Sequence, residues 1–307
     1  MSSEHIVKAI PGIFIMISGS EDKQTSADVH NVGSFNLPDS AGMAGGACTS
    51  TLLKVLTDFP GQMTWVELLQ RMRDVLELKG FDQIPQLSAS RLIDADSRFE
   101  VVPQKSIQMR KARRAVLIGI NYVGQQGQLS GCHNDVENIK RYLIKEQGFM
   151  EKDMLILMDD GKHHAPTRRN IIDAFTRVTQ YSEAGDIVFV HYSGHGGRVK
   201  DMNNDESDGY DETLIPVDFK ASGHIVDDEV FNVLVKPMKR DVQVTVLMDC
   251  CHSGTALDLP YEMDATDTAM HSNDTFNMGL LKAPATLACL ACCALCAMDD
   301  LMALFAK

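Results

Sequence analysis

The chain has 307 residues, 44% hydrophobic and 23% charged, with a formal net charge of -13. That composition supplies a sizeable core for one large α/β domain or two smaller ones, and the acidic balance without a dominant basic tract argues against nucleic acid or an anionic membrane surface as partner. It is compatible with a cationic substrate or metal ion.

Residues 12–17 read as a first strand, too short and too acidic in its sequel for a secretory leader, and the Gly/Ser/Asp-rich stretch 18–46 as a long loop. Helices are predicted over 47–56 and 64–80, the second with Thr64 as N-cap, Glu67 closing a capping box and Gly80 at its C-terminal end. Residues 84–90 read as extended. The stretch 103–114 carries Lys105, Arg110, Lys111, Arg113 and Arg114 and reads as a solvated linker. Beyond it, strands at 115–120, 154–158 and 186–192 alternate with helical patterns at 134–146 and 167–181, the rhythm of a parallel sheet with helical crossovers. A helix over 227–234 and a buried strand over 242–248 follow.

Two runs stand at strand ends: His191-Tyr-Ser-Gly-His195-Gly-Gly197 and Asp249-Cys-Cys251-His-Ser-Gly254. In open α/β sheets functional groups collect beyond the strand C-termini, so His195 and Cys251 are placed over one crevice. A thiolate needs a neighbouring base or cation to form near neutral pH, and His195 fits that role. Glycines around it let backbone approach a substrate and offer the Gly196 N–H, with that of Cys251, as oxyanion donors. His191, His252 and His133 compete for the histidine's part. Cys250 adjoins Cys251, but strand alternation turns the two to opposite sides and only one can face the crevice.

These two runs, with Gln24-Thr-Ser-Ala-Asp28, resemble the metacaspases, caspase-like cysteine peptidases of clan CD, over nearly all of residues 12–265. The resemblance implies an α/β, caspase-like fold with a mostly parallel central sheet flanked by helices. It also maps the nucleophile to Cys251 and the catalytic histidine to His195. The stretch resembling the small segment, including Gly45-Gly-Ala-Cys48-Thr and Gln83-Ile-Pro-Gln-Leu-Ser88, comes first, as in the permuted type III members. The expected organisation is therefore a small-segment-like region 1–103, a basic linker 104–114, a large-segment-like region 115–265 and a tail 266–307, together one domain. Permutation is tolerable where segment ends lie at the surface.

By the same resemblance the substrates are proteins or peptides with Arg or Lys before the scissile bond. The residues implied for reading that side chain are Asp135, Asp249 and Ser193, with Cys132 on the wall and Asp28 at the border. Paired carboxylates suit a guanidinium, and Asp135 could equally be a helix N-terminal carboxylate favoured by the macrodipole. Acidic residues crowd 201–212, a density that suits a hard cation but lacks EF-hand spacing. The resemblance instead maps Ca2+ ligands to Asp211, Asp227, Asp228 and Asp258.

The basic linker would itself be a substrate for such an enzyme, so self-cleavage there is an expectation. Cys289, Cys292, Cys293 and Cys296 share one helical face in an Ala/Leu-rich tail, which suits an apolar docking helix better than a zinc site. That bunching argues against a disulfide framework, so an intracellular, reducing, cytoplasmic setting is expected, with no transmembrane segment and a monomer. The rival readings are an inactive caspase-fold scaffold and a calcium-responsive binding module.

Overall fold

The computed structural model describes residues 6, 9–19, 28–29, 45–60, 63–200, 210–250 and 256–273. Strand β1 (Ile13–Ser18) is followed by two short paired strands, β2 (Asp28–Val29) and β3 (Gly45–Gly46), inside the stretch expected to be loop. Helices α1 (Ala47–Asp58) and α2 (Trp65–Leu78) come next, and α2 opens with the expected capping box: Thr64 Oγ1 accepts the Glu67 N–H while Glu67 accepts the Thr64 N–H. Strand β4 (Gln86–Ala89) lies within the extended segment expected there.

The expected solvated linker is corrected in part. Residues 104–114 hold a short helix, α3 (Gln104–Gln108), and the first two residues of β5 (Arg113–Gly119). The basic side chains have partners: Arg114 pairs with Asp186 at 2.6 Å, and Arg113 and Lys111 donate to the carbonyls of Gln147 and Ala184. Lys105 and Arg110 stay exposed.

The predicted alternation then appears as α4 (Cys132–Lys145), β6 (Met154–Met158), α5 (Arg168–Tyr181) and β7 (Ile187–Ser193). Sequence patterning did not foresee β8 (Gly196–Lys200), β9 (Tyr210–Leu214) and β10 (Ile225–Val226), which form a separate antiparallel sheet in the order β10-β9-β8. The helix expected over 227–234 is α6 (Asp227–Val230), which widens to π geometry across Phe231–Val235. Then come β11 (Gln243–Asp249), β12 (Tyr261–Asp264) and β13 (His271–Ser272). Among the described residues no helix is long and apolar enough to cross a membrane.

The main sheet runs β13-β12-β4-β1-β11-β7-β5-β6. Strands β1, β11, β7, β5 and β6 are parallel, and β4, β12 and β13 add on antiparallel. Successive side chains of the parallel strands go to opposite faces, and both faces are covered. Phe14, Met16, Val188, Val190, Val244 and Val246 pack with Ile171 and Phe175 of α5, whereas Ile15, Ile17, Ile187, Phe189 and Leu247 pack with Leu52, Leu68 and Ile139 of α1, α2 and α4. Burial on two sides explains the continuous apolar runs in sequence.

Register places Asp249, Ser193 and Gly119 side by side at the C-terminal edge. There α4 comes so close to β5 that a Cβ on Gly119 would lie 2.6 Å from the Cys132 carbonyl oxygen. Gly119→Ala is therefore expected to cost about 1–3 kcal/mol through overpacking; a urea midpoint equal to the parent's would contradict this close approach.

Candidate active site

Helix α4 aims Asp135 back across the strand ends. Its carboxylate is buried, accepts the Gly46 N–H at 2.8 and 3.0 Å and accepts the Ser193 hydroxyl at 2.7 Å. Asp249, at the end of β11, accepts the Thr49 N–H at 2.7 Å. Both N–H groups belong to the start of α1, whose unsatisfied amides and macrodipole favour negative charge. A Cβ on Gly46 would sit 2.1 Å from Asp249 Oδ2, so only glycine fits there.

Of the residues implied for the substrate pocket, the structure thus brings Asp135, Ser193 and Asp249 together. Asp28 reaches this place through its backbone, which pairs with Gly46. Cys132 is buried one helical turn before Asp135, its N–H donating to Asn121 Oδ1. Gly46, Cys48 and Thr49 were not picked out as site residues, although the paired glycines before a helix are a signal of close backbone approach. Burial, then the charges of Asp249 and Asp135, push the Cys48 thiol well up, so it stays protonated and inert.

His195 stands just past the end of β7, separated from it by Gly194 alone. Its Nε2 lies 2.6 Å from the Gly127 carbonyl oxygen, which makes Nε2 the protonated nitrogen and leaves Nδ1 for proton transfer. The ring lies 4.6 Å from that of Tyr122, tilted by 33°. Gly196, the expected oxyanion donor, opens β8 opposite Leu214. Cys251 and the competitor His252 lie outside the described residues. Cys250 is buried in the core face covered by α5, unsuited to attack a substrate.

The competing histidines are otherwise engaged. His133 Nε2 lies 2.6 Å from Asp159, whose carboxylate also accepts the Asn121 and Val123 N–H groups. His191 is fully buried beside Thr49 Oγ1 at 3.1 Å, and burial depresses it to about 3.

A second acidic cluster forms at the start of α6, with Asp258 from the segment between β11 and β12. Carboxylate oxygens of Asp227, Asp228 and Asp258 all come within 4.8 Å of one another. Asp211 lies on β9, buried, and its charge acts on Asp227. Burial first, then the charges of Glu212 and Asp211, lift Asp227 to about 9 against the N–H groups of Asp228 and Glu212 that it accepts. An all-oxygen donor set of this density is the chemistry of a hard divalent cation. The acidic stretch 201–208 lies outside the described residues. A groove of about 720 Å³ lies elsewhere, between β6 and α5, lined by Leu155, Ile156, Arg169 and Arg177.

Because His191 titrates at about 3 when folded against ~6.5 when unfolded, its share of stability is complete above pH ~6.5 and is lost as pH falls toward 3. His191→Gln is expected to flatten the decline of urea-unfolding stability in that window; an unchanged slope would show that His191 is not the residue taking up the proton.

The family profile "Metacaspase, peptidase C14 domain" matches residues 113–260, and "Caspase domain" matches residues 3–95. "Metacaspase III c" of Phaeodactylum tricornutum is 51% identical over 270 residues, 85% of this chain and 79% of that protein. "Metacaspase-1B" of Aspergillus fumigatus is 51% identical over 151 residues, 48% of this chain and 37% of that protein. The chain therefore spans little more than a third of the fungal relative's length. A crystal structure of a Geobacter sulfurreducens protein aligns with a TM-score of 0.38 at 36% identity, covering 48% of this chain and 53% of that one.

Proposed function

The chain belongs to the metacaspase family of cysteine-type peptidases, with a caspase-like fold, and on that premise we propose a calcium-dependent endopeptidase that cleaves after Arg or Lys. The observation that carries the specificity is the pair of buried carboxylates, Asp135 and Asp249, gathered at the strand ends beside Ser193, with Ser193 two residues before His195 and Asp249 two residues before Cys251 in sequence. A guanidinium or ammonium is the side chain that two such carboxylates favour; an Asp in its place would meet like charge.

The proposed chemistry is acyl transfer. His195 Nδ1 takes the Cys251 thiol proton, and the thiolate adds to the scissile carbonyl carbon. The oxyanion rests on the Gly196 and Cys251 N–H groups. Collapse expels the amine, which receives the proton from Nδ1, and leaves a thioester. Water, deprotonated by the same nitrogen, then releases the acid and restores the thiol. A reducing compartment would keep Cys251 competent.

In this reading Ca2+ is held by Asp227, Asp228 and Asp258, with Asp211 adjoining. The ion supplies charge that lets crowded carboxylates ionise together, and the bond-breaking steps belong to Cys251 and His195. The proposal predicts a proton effect with a definite sign. Asp227 is lifted to about 9, so in metal-free protein its contribution is complete below pH ~4 and is lost as pH rises through 9. Calcium should therefore raise the melting temperature most at alkaline pH and release protons at pH 7–8, read by calorimetry in two buffers of different ionisation enthalpy. Binding without proton release would sink the assignment of Asp227.

Hydrolysis of fluorogenic peptides ending in Arg, Lys or Asp tests the activity. The Arg and Lys peptides should be cleaved with calcium and spared with chelator. Cys251→Ala should lose at least about a thousandfold in kcat, and Asp135→Asn should raise KM. Equal signals from parent and Cys251→Ala would leave a scaffold or a calcium-responsive binder as the better account.

A further inference from the structure

Two phenols meet the backbone of His195 in a reciprocal pattern. Tyr122 Oη accepts the His195 N–H at 3.0 Å and donates to the Ile215 carbonyl at 2.6 Å. Tyr192 Oη donates to the His195 carbonyl at 2.8 Å and accepts the Ile215 N–H at 3.2 Å. Each tyrosine thus bridges the same two residues, His195 and Ile215, in opposite sense, beside the Ile215 N–H that donates directly to the His195 carbonyl at 3.2 Å. Both side chains are fully buried, and Gly194 is the residue that lets them approach: a Cβ there would lie 3.1 and 3.3 Å from the two phenol oxygens.

Tyr122 also occupies a backbone region that a bulky residue seldom adopts, with φ of +52°. That turn, just past the end of β5, lays its ring beside the His195 imidazole at 4.6 Å. The loop that follows is pinned by Asp159 to the N–H groups of Asn121 and Val123, and it carries the Gly127 carbonyl that orients Nε2. Main chain, ring face and one ring nitrogen of His195 are therefore all set from the Tyr122 turn. Ile215 directly follows β9, the strand of Asp211 and Glu212, so the same clamp joins the histidine to the strand flanking the second carboxylate cluster.

We propose that Tyr122 and Tyr192 are positioning residues that clamp His195 onto the end of β9, holding the imidazole where it can exchange a proton with the nucleophile. Neither phenol touches the reacting atoms in this role. Burial raises both well above the usual tyrosine range, so they remain neutral hydrogen-bonding groups throughout the working pH. The proposal rests on the Cys251 and His195 roles of the peptidase reading and not on its Arg/Lys preference or calcium dependence.

The test uses the full chain with Tyr122→Phe, Tyr192→Phe, the double variant and Tyr122→Leu, each first checked for cooperative melting well above the assay temperature. With the Arg peptide and saturating calcium, each single Phe variant should lose about tenfold in kcat with KM within about twofold, the scale of one misplaced hydrogen bond in a buried site. The double variant should lose less than the product of the two, because both remove one shared constraint. Tyr122→Leu, lacking the ring as well, should lose more than Tyr122→Phe. A second readout needs no substrate: the rate of iodoacetamide alkylation at Cys251, followed by mass spectrometry between pH 5 and 8, should fall several-fold near neutrality in every variant. If the parent fails to cleave the peptide, the Arg/Lys reading falls and alkylation decides the clamp. Folded variants with parental kcat or, absent turnover, parental alkylation overturn it, as does a rise in KM at constant kcat.

Discussion

Backbone amides of one short segment hold the two buried carboxylates at the strand ends. Gly46 and Thr49 donate to Asp135 and Asp249, partners separated by 89 and 200 positions in the chain. Buried carboxylates without such donors would be driven toward protonation. With them, and with the start of α1 directed at the pair, charge can be kept where a cationic side chain could use it. The arrangement requires the N-terminal segment to be docked. The parallel pairing of β1 with β11, Ile13 opposite Gln243 through Ser18 opposite Met248, accomplishes that in the middle of the sheet.

That central position makes the sheet indifferent to where β1 stands in the chain order. A strand placed between β11 and β4 contributes the same hydrogen bonds and the same two apolar faces whether its chain enters first or last. What changes is the connection, here the passage through α3 into β5, fastened by Arg113, Arg114 and Lys111. The basic residues read from sequence as solvated are largely fasteners. Composition could not reveal this, because their partners are an aspartate and two carbonyls far along the chain.

Legibility elsewhere followed the physics of each element. The strands buried on both faces were visible as apolar runs, and α2 was visible from its capping box. The small sheet β8 to β10 was not, since Gly196–Lys200 and Tyr210–Leu214 are short, mixed and flanked by acidic residues, with no period to read. At the strand ends, Asp135, Ser193 and Asp249 came from the family resemblance and His195 from its glycine-flanked motif, and the structure brings the first three together. Gly46, Thr49, Tyr122 and Tyr192 were not legible, because two act through backbone N–H groups and two through phenols aimed at another residue's backbone. Cys250 illustrates the opposite case: alternation alone allowed one member of the cysteine pair to face the crevice, and its burial in the core removes it as a nucleophile.

The two acidic clusters differ in kind. Around Asp135 and Asp249 each carboxylate has amide donors from α1, so negative charge is matched within the protein. Around Asp227 the amides of Asp228 and Glu212 do not suffice; burial and the neighbouring charges win, and the group is held protonated far above its ordinary range. Arg198 offsets Glu212 at 3.0 Å, yet Asp227 remains strained electrostatically. Asp211 and Glu212 lie on β9, a few residues before the Ile215 that Tyr122 and Tyr192 join to His195, so the second cluster and the imidazole are both tied to one strand.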